Sequence, residues 1–295
     1  MRRAILVLCW TALWVNPLCA QTADEKQQTV AALQDLQRED GGFRPNFPGA
    51  MSESLSTSSL RATTSALRAL KYFGGQVKNQ QRSANFVKSC FDKATGGFAD
   101  KPGGSPDATT TAIGLMGVVE VHLPVKDYSE AASSYLAKHA RTFEEIRLAA
   151  AAAEAIQERS PQAEAWLVQI AKMRNEDGTY GKGDGIARAT GGTVAAVLRL
   201  GGTVEQRANV LRALKSGQRS DGGFGQEGKR GSDLETSYRV TRALHMLKEK
   251  PNSERLRAFI GKCRNADGGY GVTPGQPSQV GATYFAAIIL HWLEE

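Results

Sequence analysis

Aromatic residues make up only 7% of this 295-residue chain. A cavity built to stabilise carbocations relies on stacked rings and should be richer in them. Histidine is scarce, with 4 in all, and no His-Glu-x-x-His occurs. That excludes the two-histidine zinc helix of many metalloproteases. Gly-x-Ser-x-Gly and the glycine-lysine phosphate loop are both missing, which removes the usual hydrolase elbow and nucleotide cradle. No stretch beyond residue 20 is apolar for long enough to cross a bilayer, so no transmembrane segment is expected. There is no run of Lys or Arg. The net charge is +7, and removing Arg2 and Arg3 with the leader described next leaves +5. This reads as a solvated surface with no nucleic-acid partner.

Residues 1–20 read as a signal peptide. Arg2 and Arg3 form a basic start, Ala4 to Val15 an apolar stretch, and Leu18-Cys19-Ala20 a cleavage site before Gln21. The mature chain is therefore expected to be secreted or periplasmic. Residues 21–29 are polar and read as a flexible lead-in. Residues 30–295 read as one domain.

What the sequence does have is a recurring turn. Asp-Gly-Gly followed by an aromatic occurs at Asp40–Phe43, Asp221–Phe224 and Asp267–Tyr270. Worn copies are Thr95–Phe98 and Asp177–Tyr180. Each follows a segment of helical periodicity, and each precedes a loop and a second helical segment rich in Ala, Leu and Thr. Paired glycines supply the positive-φ positions that a helix stop and reversal need. The aromatic is positioned to fold back and plug the hairpin. Phe98 and Tyr180 are 82 residues apart, whereas the later aromatic intervals are 44 and 46. The gap therefore holds one further, degenerate unit, with Tyr135 and Leu136 on its first helix and Glu144 to Ile156 as its second.

Six helical hairpins, about twelve helices, make an all-α chain. We expect the hairpins to close into an α/α toroid, second helices inside and first helices outside. The Ala149–Ala153 run suits a tight inner contact. The loops before the inner helices then ring the mouth of a central cavity. Cys90 and Cys263 occupy similar places in two non-adjacent repeats, so two small core residues are expected rather than a bridge.

The repeat resembles that of protein prenyltransferase β-subunits, within a wider group that includes the squalene and oxidosqualene cyclases. Ser220–Gly225 with Thr236-Ser237-Tyr238, and Asp267–Gly271 with Thr283-Tyr284, carry the resemblance. It covers nearly all the mature chain. The family implies a catalytic zinc held by Asp, Cys and His, which activates a substrate thiol. Those positions fall here on Glu235, Ser237 and Gly281. Serine is a poor zinc ligand and glycine offers none, so no metal cofactor is expected. His245 and His291 lie seven residues beyond their tyrosines and read as packing or surface residues. The cyclase acid motif Asp-x-Asp-Asp is missing, as is the Cys-Gly-Glu-Gln of thioester toroids. Asp107, Asp184, Asp233 and Glu235 are rim carboxylates of the kind toroid glycosidases oppose. Asp107 and Asp233 are also natural helix caps.

Part of the family's diphosphate side is retained. The resemblance points to Arg188, Lys229, Arg230, Tyr238 and Tyr284 as substrate-binding residues, basic groups and phenols beside inner-helix N-termini. Thr63, Thr64, Thr109, Thr110, Thr111, Thr190, Thr193, Thr236 and Thr283 suggest a mixed polar and apolar cavity. The expected function is binding of a lipid, isoprenoid or peptide, with a protein partner also open. Two other classes remain: a transferase with non-standard ligands, and a scaffold used only for docking.

Overall fold

The computed structural model describes residues 21–48 and 57–295. The leader, residues 1–20, and the middle of the first loop, residues 49–56, lie outside the described residues. Six helices form an outer layer: α1 (Ala23–Gln34), α3 (Gln80–Ser89), α5 (Ser129–His139), α7 (Ala163–Ala171), α9 (Arg207–Ser216) and α11 (Ser253–Cys263). Six alternate with them as an inner layer: α2 (Leu60–Tyr72), α4 (Ala108–Glu120), α6 (Phe143–Ile156), α8 (Ile186–Arg199), α10 (Leu234–Met246) and α12 (Val280–Glu294). Among the described residues, backbone pairing outside helices is limited to isolated bridges such as Gln37 with Phe43.

The inner helices pack in cyclic order, each on the next, and α12 packs back on α2. The ring is closed. An inner helix meets neighbours on both sides, so more of it is buried than of an outer one. On α12 eleven of 15 residues are buried; on α9, an outer helix, only Val210 and Leu214 are.

The repeated turn explains the repeated fold. In the copy at Asp221, one carboxylate oxygen accepts from Gly223 N at 3.1 Å and from Ser232 Oγ at 2.7 Å. The same clasp joins Asp40 to Ser58 and Asp267 to Ser278. It ties the end of the outer helix to the loop before the inner one. Gly222 has φ +98°, and a Cβ there would lie 2.1 Å from the Arg255 carbonyl oxygen. Only glycine meets both demands.

The aromatic then points inward. Phe43, Phe98, Phe224 and Tyr270 are completely buried. Each donates its backbone N–H to a hydroxyl on its own inner helix. The acceptors are Thr63, Thr111, Ser237 and Thr283, and Thr190 does the same for Tyr180.

One expectation is corrected here. Residues 21–29 are not a flexible lead-in. Thr22 caps α1, with Glu25 completing a reciprocal capping box, and the helix starts at Ala23. Helix α10 ends at Met246, with Lys248 in the left-handed region at φ +58°. Cys90 and Cys263 are free and buried, and burial pushes both thiols up to about 12.

Candidate functional site

Each inner helix begins from a loop, and those loops interlock around one rim. Leu60 N donates to Asp100 O, Leu234 N to Val272 O, and Val280 N to Pro45 O. The hairpins repeat, so the inner helices all run away from this rim. Side chains on their inward faces enclose a central cavity of about 660 Å³. That falls within the roughly 300–1,000 Å³ of pockets that take a single small ligand.

The cavity has two unlike walls. Ile113, Met116 and Val119 of α4, with Leu148, Ala151 and Ala155 of α6, form a mainly apolar one, flanked by Arg147 toward the rim and by Glu120 and Glu154 at the far end. The alanine run gives this wall its width, since methyl groups replace longer side chains. The opposite wall, from α10, α12 and α2, carries Tyr238, Tyr284 and Phe285 with arginines between them. In all, seven cationic side chains and three carboxylates line the cavity. Cations in that excess inside a protein wall favour an anion.

Near the rim the charges are paired. Arg239 reaches both Glu144 oxygens, at 2.6 and 2.9 Å, and Glu235 at 2.6 Å. Arg147 also bonds Glu144, at 3.0 Å. Burial alone would raise the Glu144 carboxyl, but Arg239 and Arg147 override it and hold it at about 2. Glu235 is likewise held below the ordinary range, by Arg239 and Arg188 against its burial.

At the other end pairing is incomplete. Glu154 Oε2 lies 2.9 Å from Arg199 Nε and 3.6 Å from Arg242. Glu120 lies 3.5 Å from Arg68 Nε and 3.4 Å from Lys71. Each carboxylate thus serves two cations. Arg242 stacks over Trp292, 4.6 Å from the ring centroid, and Arg68 over Tyr284 at 4.9 Å. The Nε of Arg68, the Nε of Arg242 and the Tyr284 hydroxyl are buried without a hydrogen-bond partner. Burial would raise the Tyr238 phenol. Instead Arg242, Arg199, Arg68 and Arg147 pull it down to about 6. Its neighbour Tyr284 is raised, because burial outweighs Arg68 there.

The expected site residues separate into two groups. Tyr238 and Tyr284 line the cavity. Arg188 is turned to the rim pair, bonding Thr236 Oγ1 at 2.5 Å and Glu235 at 3.0 Å. Lys229 and Arg230 are exposed on the loop outside and are not among the lining residues. The threonines are also reassigned. Thr63, Thr111, Thr190 and Thr283 face the turns that they lock, and of the nine only Thr64 lines the cavity. The arginines that line the cavity were missed. A signal existed: Arg68 and Arg242 both follow the turn-locking residue, Thr63 or Ser237, by five positions.

The three positions matching the family's zinc ligands are each otherwise placed. Glu235 is held by Arg188 and Arg239. Ser237 is fully buried and accepts from Phe224 N. Gly281 lines the cavity without a side chain. Among the described residues no cluster of three or more His, Cys, Asp or Glu is placed to hold a metal. His245 and His291 are partly exposed and stack on Trp292 and Tyr72. The rim carboxylates are occupied too. Asp107 and Asp233 cap α4 and α10, and Asp184 pairs with Arg219.

Comparison with known proteins agrees with this fold. The pattern of the prenyltransferase alpha-alpha toroid domain matches residues 2–83, 66–131 and 146–295. No curated relative matches the chain. Among solved structures, the chain is similar to Candida albicans protein geranylgeranyltransferase-I complexed with GGPP. The TM-score is 0.67 at 16% identity, over 80% of this chain and 84% of that one. It is also similar to the type II terpene cyclase MstE from Scytonema, in complex with geranylgeranyl dihydroxybenzoate. There the TM-score is 0.63 at 12% identity, over 94% and 96%. A glycosidase in complex with glucose scores 0.61 at 13% identity, over 92% and 96%. At such identities the likeness is one of fold. No described helix is long and apolar enough to cross a membrane.

Proposed function

The chain belongs to the prenyltransferase alpha-alpha toroid family, and from that premise we propose that it is an exported binding protein of the family. Its central cavity takes one single-chain isoprenoid or related lipid that carries an anionic group. It does not carry out zinc-dependent thiol transfer. One observation supports this reading above the others: a cavity of about 660 Å³ with an apolar wall facing a wall of arginines and phenols. An amphiphile satisfies both walls at once. The solved relatives named for GGPP and a geranylgeranyl substrate add the isoprenoid to this reading. The basic start and apolar stretch of residues 1–20 support export.

The test has two parts, both on purified residues 21–295. Calorimetric titration with geranylgeranyl diphosphate should give one site per chain, unaffected by chelator. Metal analysis by inductively coupled plasma mass spectrometry should give no stoichiometric zinc. Failure to bind at high micromolar ligand overturns the binding reading. About one zinc per chain, with binding lost on chelation, overturns the zinc-free reading and restores the transferase.

A further inference from the structure

Burying a guanidinium is costly unless its charge is balanced and its N–H groups are bonded. At the cavity end away from the loop rim, three are buried together. The side chains of Arg68, Arg199 and Arg242 are 16%, 3% and 12% exposed. They come from three different inner helices, so no single helix's sequence demands them. With Lys71 they make four cations, against Glu120 and Glu154. Tyr238 is the one further anion within reach, and whenever its phenol is protonated two positive charges are left uncompensated. Stacking of Arg68 on Tyr284, and of Arg242 on Tyr238 and Trp292, fixes two of the guanidinium planes and leaves part of their N–H edges without hydrogen bonds. Arg242 Nε and the adjacent Tyr284 hydroxyl have no hydrogen-bond partner, and Arg68 Nε has only the 3.5 Å ion pair with Glu120.

Helix dipoles do not account for this. Cations are favoured at helix C-termini by about 0.3–1 kcal/mol, but only within the last turn. Arg199 is in the last turn of α8. Arg68 and Arg242 lie further in, and the last turns of α2 and α10 already carry Lys71 and His245. The direction of the Tyr238 shift agrees: the arginines around the phenol outweigh its burial and favour an anion there.

We propose that Arg68, Arg199 and Arg242, with the Tyr284 hydroxyl, form a phosphate-binding site at the cavity end opposite the loop rim. The ligand is a phosphate monoester or diphosphate on a single apolar chain, and the chain runs toward the rim along the α4–α6 wall. The charge balance selects this class, because two uncompensated positive charges match a phosphate dianion and exceed a carboxylate. The polarity is the reverse of what Lys229 and Arg230 on the rim loop would give. The proposal rests on the cavity being the ligand site.

The experiment compares geranylgeranyl diphosphate with the neutral alcohol geranylgeraniol. The proteins are the wild type, Arg68→Met, Arg242→Met and the rim double variant Lys229→Ala/Arg230→Ala. In each methionine variant the paired glutamate keeps its second cation, Lys71 or Arg199. Each methionine variant should weaken the diphosphate roughly tenfold or more and leave the alcohol within about twofold. The rim variant should bind both as the wild type does. Diphosphate affinity lost in the rim variant and kept in both methionine variants overturns the phosphate site while the cavity reading stands. No binding of either ligand by the wild type overturns both.

A wild-type measurement guards against misfolded variants. Bound diphosphate should suppress the tyrosinate absorbance of Tyr238 at pH 8, because it competes for the same positive charge, and the alcohol should not. Saturating diphosphate with unchanged absorbance overturns the site.

Discussion

Thr29 and Gly268 stand 239 positions apart, and one buried hydrogen bond joins them, from the threonine Oγ1 to the glycine carbonyl at 2.7 Å. This bond closes the ring. It lies in a small seam in which Gln28 reaches the Ala266 carbonyl and Arg264 reaches Gln28. Thr29→Val keeps the shape and removes the donor, leaving the Gly268 carbonyl buried without a partner. We expect a loss of about 1–3 kcal/mol, read from urea unfolding. An unchanged midpoint would show that the seam is passive.

The glycines of one repeat make a graded series. Gly222→Ala faces both positive φ and the Arg255 carbonyl oxygen 2.1 Å from the new Cβ. It should cost several kcal/mol or prevent folding, because backbone has to move. Gly228 has φ +68° but open space around it. Alanine there should cost only about 1 kcal/mol, the left-handed strain alone. Gly231 has neither constraint, and alanine there should be close to neutral. Thermal unfolding of the three variants should rank them in that order.

The toroid was legible in the sequence because its signal is local and repeated. The Asp-Gly-Gly-aromatic turn carries its own hydrogen bonds, so each copy declares a hairpin by itself. Helix ends without glycine were less legible. His122, Gln157 and Lys248 all adopt φ near +58°, and nothing in their residue types asks for it. The start of α1 was hidden differently. Thr22 and Glu25 spell a capping box, but the polar first turns are ordered by contacts with the last repeat, 239 residues away. The site was half legible. Tyr238 and Tyr284 stand beside the motif, whereas Arg68, Arg199 and Arg242 look like surface residues until their helices are known to be surrounded. The threonines misled for the same reason. Their hydroxyls were needed by the turns, a demand visible only once turn and helix meet.

Arg239 reaches Glu144 across α8, and this bridge should give the protein an acid-sensitive component of stability. Glu144 is held at about 2 when folded, below the usual carboxylate near 4.3. A folded pKa below the unfolded one adds stability above the unfolded value, and that stability is lost as pH falls toward 2. The side chain is 51% exposed, so screening keeps the effect within about 1 kcal/mol. Glu144→Gln should flatten the decline in stability between pH 5 and pH 2. An equally steep decline in the variant would place the acid sensitivity elsewhere.

Tyr238 offers the most direct reading of the cavity's potential. Burial opposes its ionisation, and Arg242, Arg199, Arg68 and Arg147 prevail, bringing the phenol to about 6. An ordinary phenol titrates near 10. The ligand-free wild type should therefore show one tyrosinate by difference absorbance between pH 5 and pH 8, and Tyr238→Phe should show none. The linkage has a definite sign. The folded pKa lies below the unfolded one, so the phenolate's contribution is complete above pH 10 and lost as pH falls through 6. Wild type should gain stability over Tyr238→Phe as pH rises from 6 toward 9. Arg242→Met removes the most influential of those charges and should move the titration upward. A phenol that titrates near 10 in the wild type would mean that Glu120 and Glu154 already neutralise the arginines, and the excess positive charge assigned to the cavity would be withdrawn.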